Sequence, residues 1–221
     1  MAAKVDLITV DISRTLGTFT GTSTKDRLLK LSPLADIAPE RAGEAVRCLL
    51  YRAPALTSEL INQVSRQLLI PFSEFPTRWD RGYLPYPHAH NALKELAEVA
   101  PVVALSNMAV TGGPERVHKV RTEHFGTLRA VYTSFKLGGA KPEPWLWQVV
   151  AGRHGAKIEN VVHIGDQLIA DVYGALWAGA RVIHLRDDAE ATAYPNGSQE
   201  RVLTAVDLPT AVHMVRSWAG G

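Results

Sequence analysis

Asp11 stands where an apolar stretch, residues 5–10, gives way to Ile12-Ser13-Arg14-Thr15-Leu16-Gly17. A carboxylate at the end of a buried strand, followed by a turn of small polar residues, suits a nucleophile at the mouth of a parallel sheet. Three further polar clusters each follow a strand-like stretch: Ser106-Asn107, Lys141-Pro142, and Gly165-Asp166 with Asp171. Strand ends of one sheet converge, so residues far apart in sequence can meet there. Asp11, Asp166 and Asp171 would then repel one another unless a cation intervened, and an all-oxygen set suits Mg2+. Taken alone, Asp171 is equally well a helix N-terminal charge favoured by the macrodipole. Lys141 can offset a nucleophilic carboxylate and an anionic substrate, although a single lysine is usually a surface group. Ser106 and Asn107 can donate to phosphate oxygens, although Ser-Asn after a strand is most often a turn.

The elements that must carry these residues are legible from residue 87 onward. Helical stripes (Ala89, Ala92, Leu93, Leu96, Ala97; then Val117, Val120, Phe125; then Trp145, Leu146, Val149, Val150) alternate with strands at 102–105, 128–132 and 160–164. Ile169, Val172, Tyr173, Leu176 and Trp177 follow helical spacing up to Gly179, and a strand spans 180–185. Residues 201–206 and 208–218 read as a last strand and helix. Alternating apolar strands and helices specify an α/β fold, a three-layer Rossmann-like parallel sheet core. Residues 21–86 break this rhythm. Ala42, Ala45, Val46, Leu49 and Leu50 form one helical stripe; Leu60, Ile61, Val64 and Leu68 form another, with Thr57 as N-cap; Phe72, Phe75 and Trp79 suggest a third. The expected organisation is a core of residues 1–20 and 87–221 with a helical cap subdomain, 21–86, inserted over the carboxyl ends of the strands.

Length, 221 residues, suits one domain or one domain with an insertion, and a formal net charge of +2 gives no reason to expect nucleic acid or an anionic membrane as partner. One cysteine, Cys48, excludes an intramolecular disulfide and fits a reducing compartment. No signal-peptide core and no bilayer-length apolar run is present, so a cytoplasmic location is expected.

In order, the four clusters resemble the motifs of the haloacid dehalogenase (HAD) superfamily. Asp11-x-Ser13-x-Thr15-Leu16 resembles the first, Leu105-Ser106-Asn107 the second, Lys141-Pro142-Glu143-Pro144 the third, and Gly165-Asp166-Gln167-Leu168-Ile169-Ala170-Asp171 the fourth. The helical insertion resembles the superfamily's helical-cap subtype. The resemblance implies that Asp11 attacks phosphorus and forms a phospho-aspartyl intermediate. Ser106 and the Thr15 region would hold the phosphoryl group, and Lys141 would stabilise it. Mg2+ would be bound by Asp11, Asp166, Asp171 and the backbone carbonyl of Ser13. A small phosphorylated metabolite is the expected substrate.

Ser13 departs from that pattern, because the usual aspartate there protonates the leaving group and then activates water. General acid–base catalysis is worth about 10² to 10⁴ in rate, or roughly 3 to 5 kcal/mol of barrier. A serine hydroxyl cannot supply it unaided. The chain is therefore a phosphatase of good leaving groups, a catalytically impaired binder of a metabolite or protein, or a phosphonate-cleaving enzyme with Lys25 or Lys30 as amine. Dehalogenases of the superfamily need no metal, and Asp166 and Asp171 argue against that chemistry. Arg14 replaces a usual glycine and is expected to meet an anionic substrate, pair with a cap carboxylate, or remain solvated. Phe72, Phe75, Trp79 and Cys48 read as packing, His163 as a buried hydrogen-bonded histidine, and Tyr83 and Tyr86 as substrate contacts.

Overall fold

The computed structural model describes residues 4–76, 78–79, 82–186, 194–195 and 197–220. In chain order, β1 (Leu7–Val10) is followed by the short β2 (Gly17–Phe19), then by α1 (Thr24–Leu31), α2 (Glu40–Ala45), which widens into a π-helical turn (Val46–Leu50), and α3 (Ser58–Leu68). After a 3-10 turn (Phe72–Glu74) come β3 (Tyr83–Pro85), α4 (Ala89–Val99), β4 (Val102–Ser106), α5 (Gly113–Glu123), β5 (Ala130–Thr133) and the short α6 (Ser134–Leu137). The chain closes with α7 (Trp145–Arg153), β6 (Val161–Gly165), a π-helical turn (Leu168–Tyr173) running into α8 (Gly174–Ala178), β7 (Arg181–Leu185), β8 (Val202–Ala205) and α9 (Leu208–Ala219).

The main sheet is six-stranded and parallel, in the order β5-β4-β1-β6-β7-β8. The chain moves outward from β1 on one side and then returns to build the other, so β1 lies at the switch point where a ligand crevice opens at the carboxyl ends. Period-two alternation divides the side chains between two cores. Ile8, Val10, Val102, Ala104, Val162, Ile164 and Ile183 share a cluster with α4, α5 and α9. Leu7, Val103, Leu105, Val161 and Val182 face α7 and α8, through Leu146, Trp147, Val150 and Leu176. Helices therefore cover both faces, as a buried all-parallel sheet requires. Among the described residues, no helix is long and apolar enough to cross a membrane.

Several local expectations need correction. The third helix expected near Phe72 is a single 3-10 turn in which Phe72 is half exposed, whereas α1 carries no marked apolar stripe and was not anticipated. Ser23 caps α1 through Asp26 N, and Thr57 caps α3 through Leu60 N, as its position suggested. A second sheet, the antiparallel pair β2–β3, also escaped the pattern because each strand has only three residues. Gly17 permits that pairing: a Cβ there would sit 2.4 Å from the Leu84 carbonyl oxygen. The pair ties together the two ends of the helical segment between them. Phe125, Ile169 and Trp177 are exposed rather than packed. α5 stops at Glu123, before Phe125, and the turn at 168–173 is π rather than α, which shifts the buried face toward Val172, Ala175 and Leu176. Cys48 is exposed, since it lies off the face set by Ala42, Ala45 and Val46.

Candidate active site

Asp11 immediately follows β1, and its amide donates to the Ile164 carbonyl of β6 at 2.9 Å. Its side chain is buried, and so are those of Lys141 and Asp171. Lys141 Nζ donates to Asp11 Oδ1 at 2.6 Å and also to Asp171 Oδ1. One ammonium therefore joins two carboxylates that the sequence separates widely. Burial favours the neutral acid and pushes the Asp11 carboxyl up, with Lys141 opposing that and the Asp171 charge adding to it. Burial alone would lower the Lys141 ammonium, but the two carboxylates outweigh it and push the group up. Asp171, despite the penalty of burial, is held low by Lys141 and by its bonds to His163 and the Gln167 amide.

The loop that presents Lys141 is fixed by Asn107. The Asn107 side-chain amide donates to the Lys141 carbonyl at 3.0 Å, and its oxygen accepts from the Lys141 amide at 2.8 Å. Asn107, expected to donate to phosphate, thus grips the main chain of the lysine instead. Ser106, at the end of β4, is buried. Thr15 is buried with its hydroxyl unpartnered.

Asp171 reaches back over the end of β6. A Cβ at Gly165 would lie 2.5 Å from the Asp171 carboxyl carbon, so glycine is what allows the approach. Behind Asp171, His163 Nε2 lies 3.2 Å from Asp171 Oδ1, and Nδ1 lies 2.8 Å from Thr9 Oγ1. Burial lowers the imidazole, keeping it neutral. The tautomer that suits both bonds donates from Nε2 to the carboxylate and accepts at Nδ1 from the threonine. Thr9 and His163 are register partners in β1 and β6, and the ring packs edge-on against Trp147, centroids 5.1 Å apart. His163 is buried and hydrogen-bonded as expected, and it also supports a site carboxylate. Its position within a strand gave no sign of that second role.

Asp166 completes the acidic group. One ligand oxygen from each of Asp11, Asp166 and Asp171 lies within 4.8 Å of the others. Asp166 Oδ1 is buried and unpartnered. Burial, with the Asp171 and Asp11 charges behind it, pushes the Asp166 carboxyl up to about 6. Arg14 opposes this shift: its Nη2 lies 2.6 Å from Asp166 Oδ2. The turn that carries Arg14 is tight, with the Arg14 amide bonded to the Gly17 carbonyl at 2.7 Å and Arg14 in the left-handed region at φ 61°. Arg14 therefore meets a carboxylate of the β6 loop, not one of the 21–86 segment. Ser13, between Asp11 and this turn, is half-buried and presents no acid.

The 21–86 segment reaches the site through Tyr51. Burial raises its phenol, and the Asp11 charge adds to the rise while Arg116 and Lys141 oppose it, so Tyr51 lies within electrostatic reach of Asp11. The Leu50 carbonyl accepts from Val110 N at 2.8 Å, and Arg52 pairs with Glu143, two residues past Lys141. No motif pointed to Tyr51. Tyr83, expected at the substrate, is buried with its hydroxyl on His124 Nε2 at 2.8 Å; Tyr86 stacks on His88. A cavity of about 490 Å³ opens between Leu56, Arg78, Trp79, Val110 and Glu115, and Asp11, Asp166 and Asp171 are not among its lining residues.

A parallel sheet with this strand order, an aspartate after its central strand, and a lysine and two further aspartates converging on it give the chain a haloacid dehalogenase-like fold. Residues 139–207 match the HAD-hydrolase-like family model. Over 130 residues the chain is 32% identical to a glyceraldehyde 3-phosphate phosphatase of Methanopyrus kandleri, a match covering 57% of this chain and 53%, about half, of that relative. A 2-haloacid dehalogenase from Pseudomonas syringae pv. Tomato DC3000 superposes with a TM-score of 0.60 at 18% identity, over 97% of this chain and 100% of that one. A HAD family enzyme from Bacteroides thetaiotaomicron, solved with magnesium and inorganic phosphate, gives 0.61 at 15% identity, over 82% and 94%. At such identities the structural likeness establishes the fold and does not choose between dehalogenation and phosphate chemistry.

Proposed function

We propose that the chain is a Mg2+-dependent phosphatase of a small phosphorylated metabolite, with Asp11 as nucleophile and residues 21–86 as a helical cap over a core of 1–20 and 87–221. The observation that carries this reading is the buried Asp11–Lys141–Asp171 chain with Asp166 beside it. Dehalogenation needs a nucleophile but no gathering of three carboxylates. The donor set fits a hard divalent ion, being all oxygen, with Asp166 Oδ1 buried and lacking a partner. Asp11, Asp166, Asp171 and the Ser13 carbonyl would hold Mg2+, which when bound neutralises phosphoryl charge. The phosphate ester acted on by the Methanopyrus relative supports the substrate class.

Within the chain, an Asp11 carboxylate oxygen attacks phosphorus and the bond to the leaving oxygen breaks. Lys141 keeps Asp11 oriented, and the hydroxyl of Ser106, buried at the end of β4, would hold a phosphoryl oxygen. The leaving oxygen must depart without a proton from Ser13, so substrates with stable leaving groups are favoured. Water then cleaves the phospho-aspartate, again without a carboxylate at position 13. The second reading, a binding protein with impaired catalysis, draws on the same Ser13. The phosphonate reading gains nothing from Lys25 and Lys30, both exposed on α1. The test is hydrolysis of an activated aryl phosphate with and without Mg2+, comparing the native chain with Asp11→Asn. Metal-dependent turnover lost in the variant supports the phosphatase; turnover equal in the two overturns it, and ligand binding without turnover supports the second reading.

A further inference from the structure

Arg14 is the one site residue whose type and backbone conformation do not suit its position. It holds a left-handed φ of 61°, which costs a side-chain-bearing residue and costs glycine nothing. Its guanidinium nevertheless reaches Asp166 Oδ2 at 2.6 Å. Asp11, Asp166 and Asp171 bring three negative charges, and Lys141 and Arg14 bring two positive ones. Lys141 is enclosed, with its side chain 2% exposed, whereas that of Arg14 is 62% exposed. The two cations are therefore not equivalent. Lys141 is built in, while Arg14 sits at the solvent edge and can leave Asp166 without being dragged through protein.

We propose that Arg14 competes with the divalent cation for Asp166, so that its guanidinium occupies Oδ2 in the metal-free protein and must release that oxygen for the ion. The chain thereby sets its own metal affinity lower than the same carboxylates would have with a neutral residue at position 14. This inference rests on the metal-binding part of the reading above and not on turnover. An exposed ion pair of this kind is worth little, so the expected effect is about two- to fivefold in affinity.

The test is calorimetric titration of Mg2+, with Ca2+ as a second hard-ion probe, into the chelator-stripped native chain, Arg14→Gln and Arg14→Gly. Both variants should bind about two- to fivefold more tightly than the native chain, and adding Asp166→Asn to Arg14→Gln should remove that gain. Unchanged or weaker affinity in both variants overturns the inference. So does tightening confined to Arg14→Gly, which would reflect relief of backbone conformation rather than of charge. Retained tight binding without Asp166, or no binding by any variant, also overturns it. Because no substrate is present, a chain that hydrolyses nothing can still show the shift, and a working phosphatase can lack it.

Discussion

Replacing Lys141 by methionine keeps the apolar stem and removes the one enclosed cation of the site. Lys141, Asp11 and Asp171 have side chains 2%, 3% and 0% exposed, so solvent cannot replace the lost charge. Removing one partner of a buried pair typically costs about 3–5 kcal/mol. Asp171 keeps its His163 and Gln167 bonds, while Asp11 loses the ammonium that donates to its carboxylate, so about 4 kcal/mol is a reasonable central figure. At roughly 2–4 °C per kcal/mol for a chain of this size, Tm should fall by about 8–16 °C. Thermal and urea unfolding in chelator are the assay. Two further signatures distinguish charge from lost packing. With the cation gone, the folded carboxylates hold protons more tightly than the unfolded ones, so the folded state binds more protons and its stability falls as pH rises. The Lys141→Met penalty should therefore be smaller near pH 5 than near pH 8. Adding Asp171→Asn should recover part of the loss, giving a coupling of about 1–3 kcal/mol in the double-mutant cycle. A Tm loss below about 2 °C, which is under 1 kcal/mol, or strict additivity of the two substitutions, would refute the electrostatic reasoning.

Restoring an acid by Ser13→Asp should speed the first step, departure of the leaving group, more for alkyl phosphates than for aryl phosphates, by up to about 10² to 10⁴; single-turnover rates on both classes check this, and equal gains would contradict it. His124 offers a separate pH test away from the carboxylates. It is 1% exposed, and burial pushes its imidazole from 6.5 down to about 4. A depressed folded value means that the unfolded chain binds the proton more readily, so this stability is present above about pH 6.5 and is lost as pH falls through about 4. The full span is worth up to about 3 kcal/mol at 1.36 kcal/mol per pH unit. Urea midpoints between pH 7 and pH 4 should fall less in His124→Gln than in the native chain, and identical slopes would remove His124 as a cause.

The parallel core was legible because its strands are apolar stretches punctuated by polar residues, and a polar residue at a strand's carboxyl end is a local pattern. That pattern marked Asp11, Lys141, Asp166 and Asp171, and the structure brings these four together. Their internal wiring was less legible. The partner of Arg14 depends on a left-handed turn, and the grip of Asn107 on Lys141 depends on where two loops meet, 34 residues apart. His163 looked like any buried histidine until the register placed it beside Thr9 and Asp171. Within residues 21–86, periodicity found the strongly patterned α3 and missed both α1 and the three-residue strands of the β2–β3 pair. Such strands are too short to show alternation, and their pairing rests on a close backbone approach at Gly17.

The central claim, covalent chemistry at Asp11, is tested most directly by rapid-quench mass analysis of the native chain during aryl phosphate hydrolysis with Mg2+. Without a carboxylate at position 13, departure of an activated aryl group is little hindered, while hydrolysis of the phospho-aspartate is slowed, by roughly 10² to 10⁴. An initial burst of aryl product equal to the enzyme present should therefore appear, with one phosphoryl group mapped to Asp11. Linear product formation from the first turnover, with no phosphoryl group on Asp11 at any time, would contradict it.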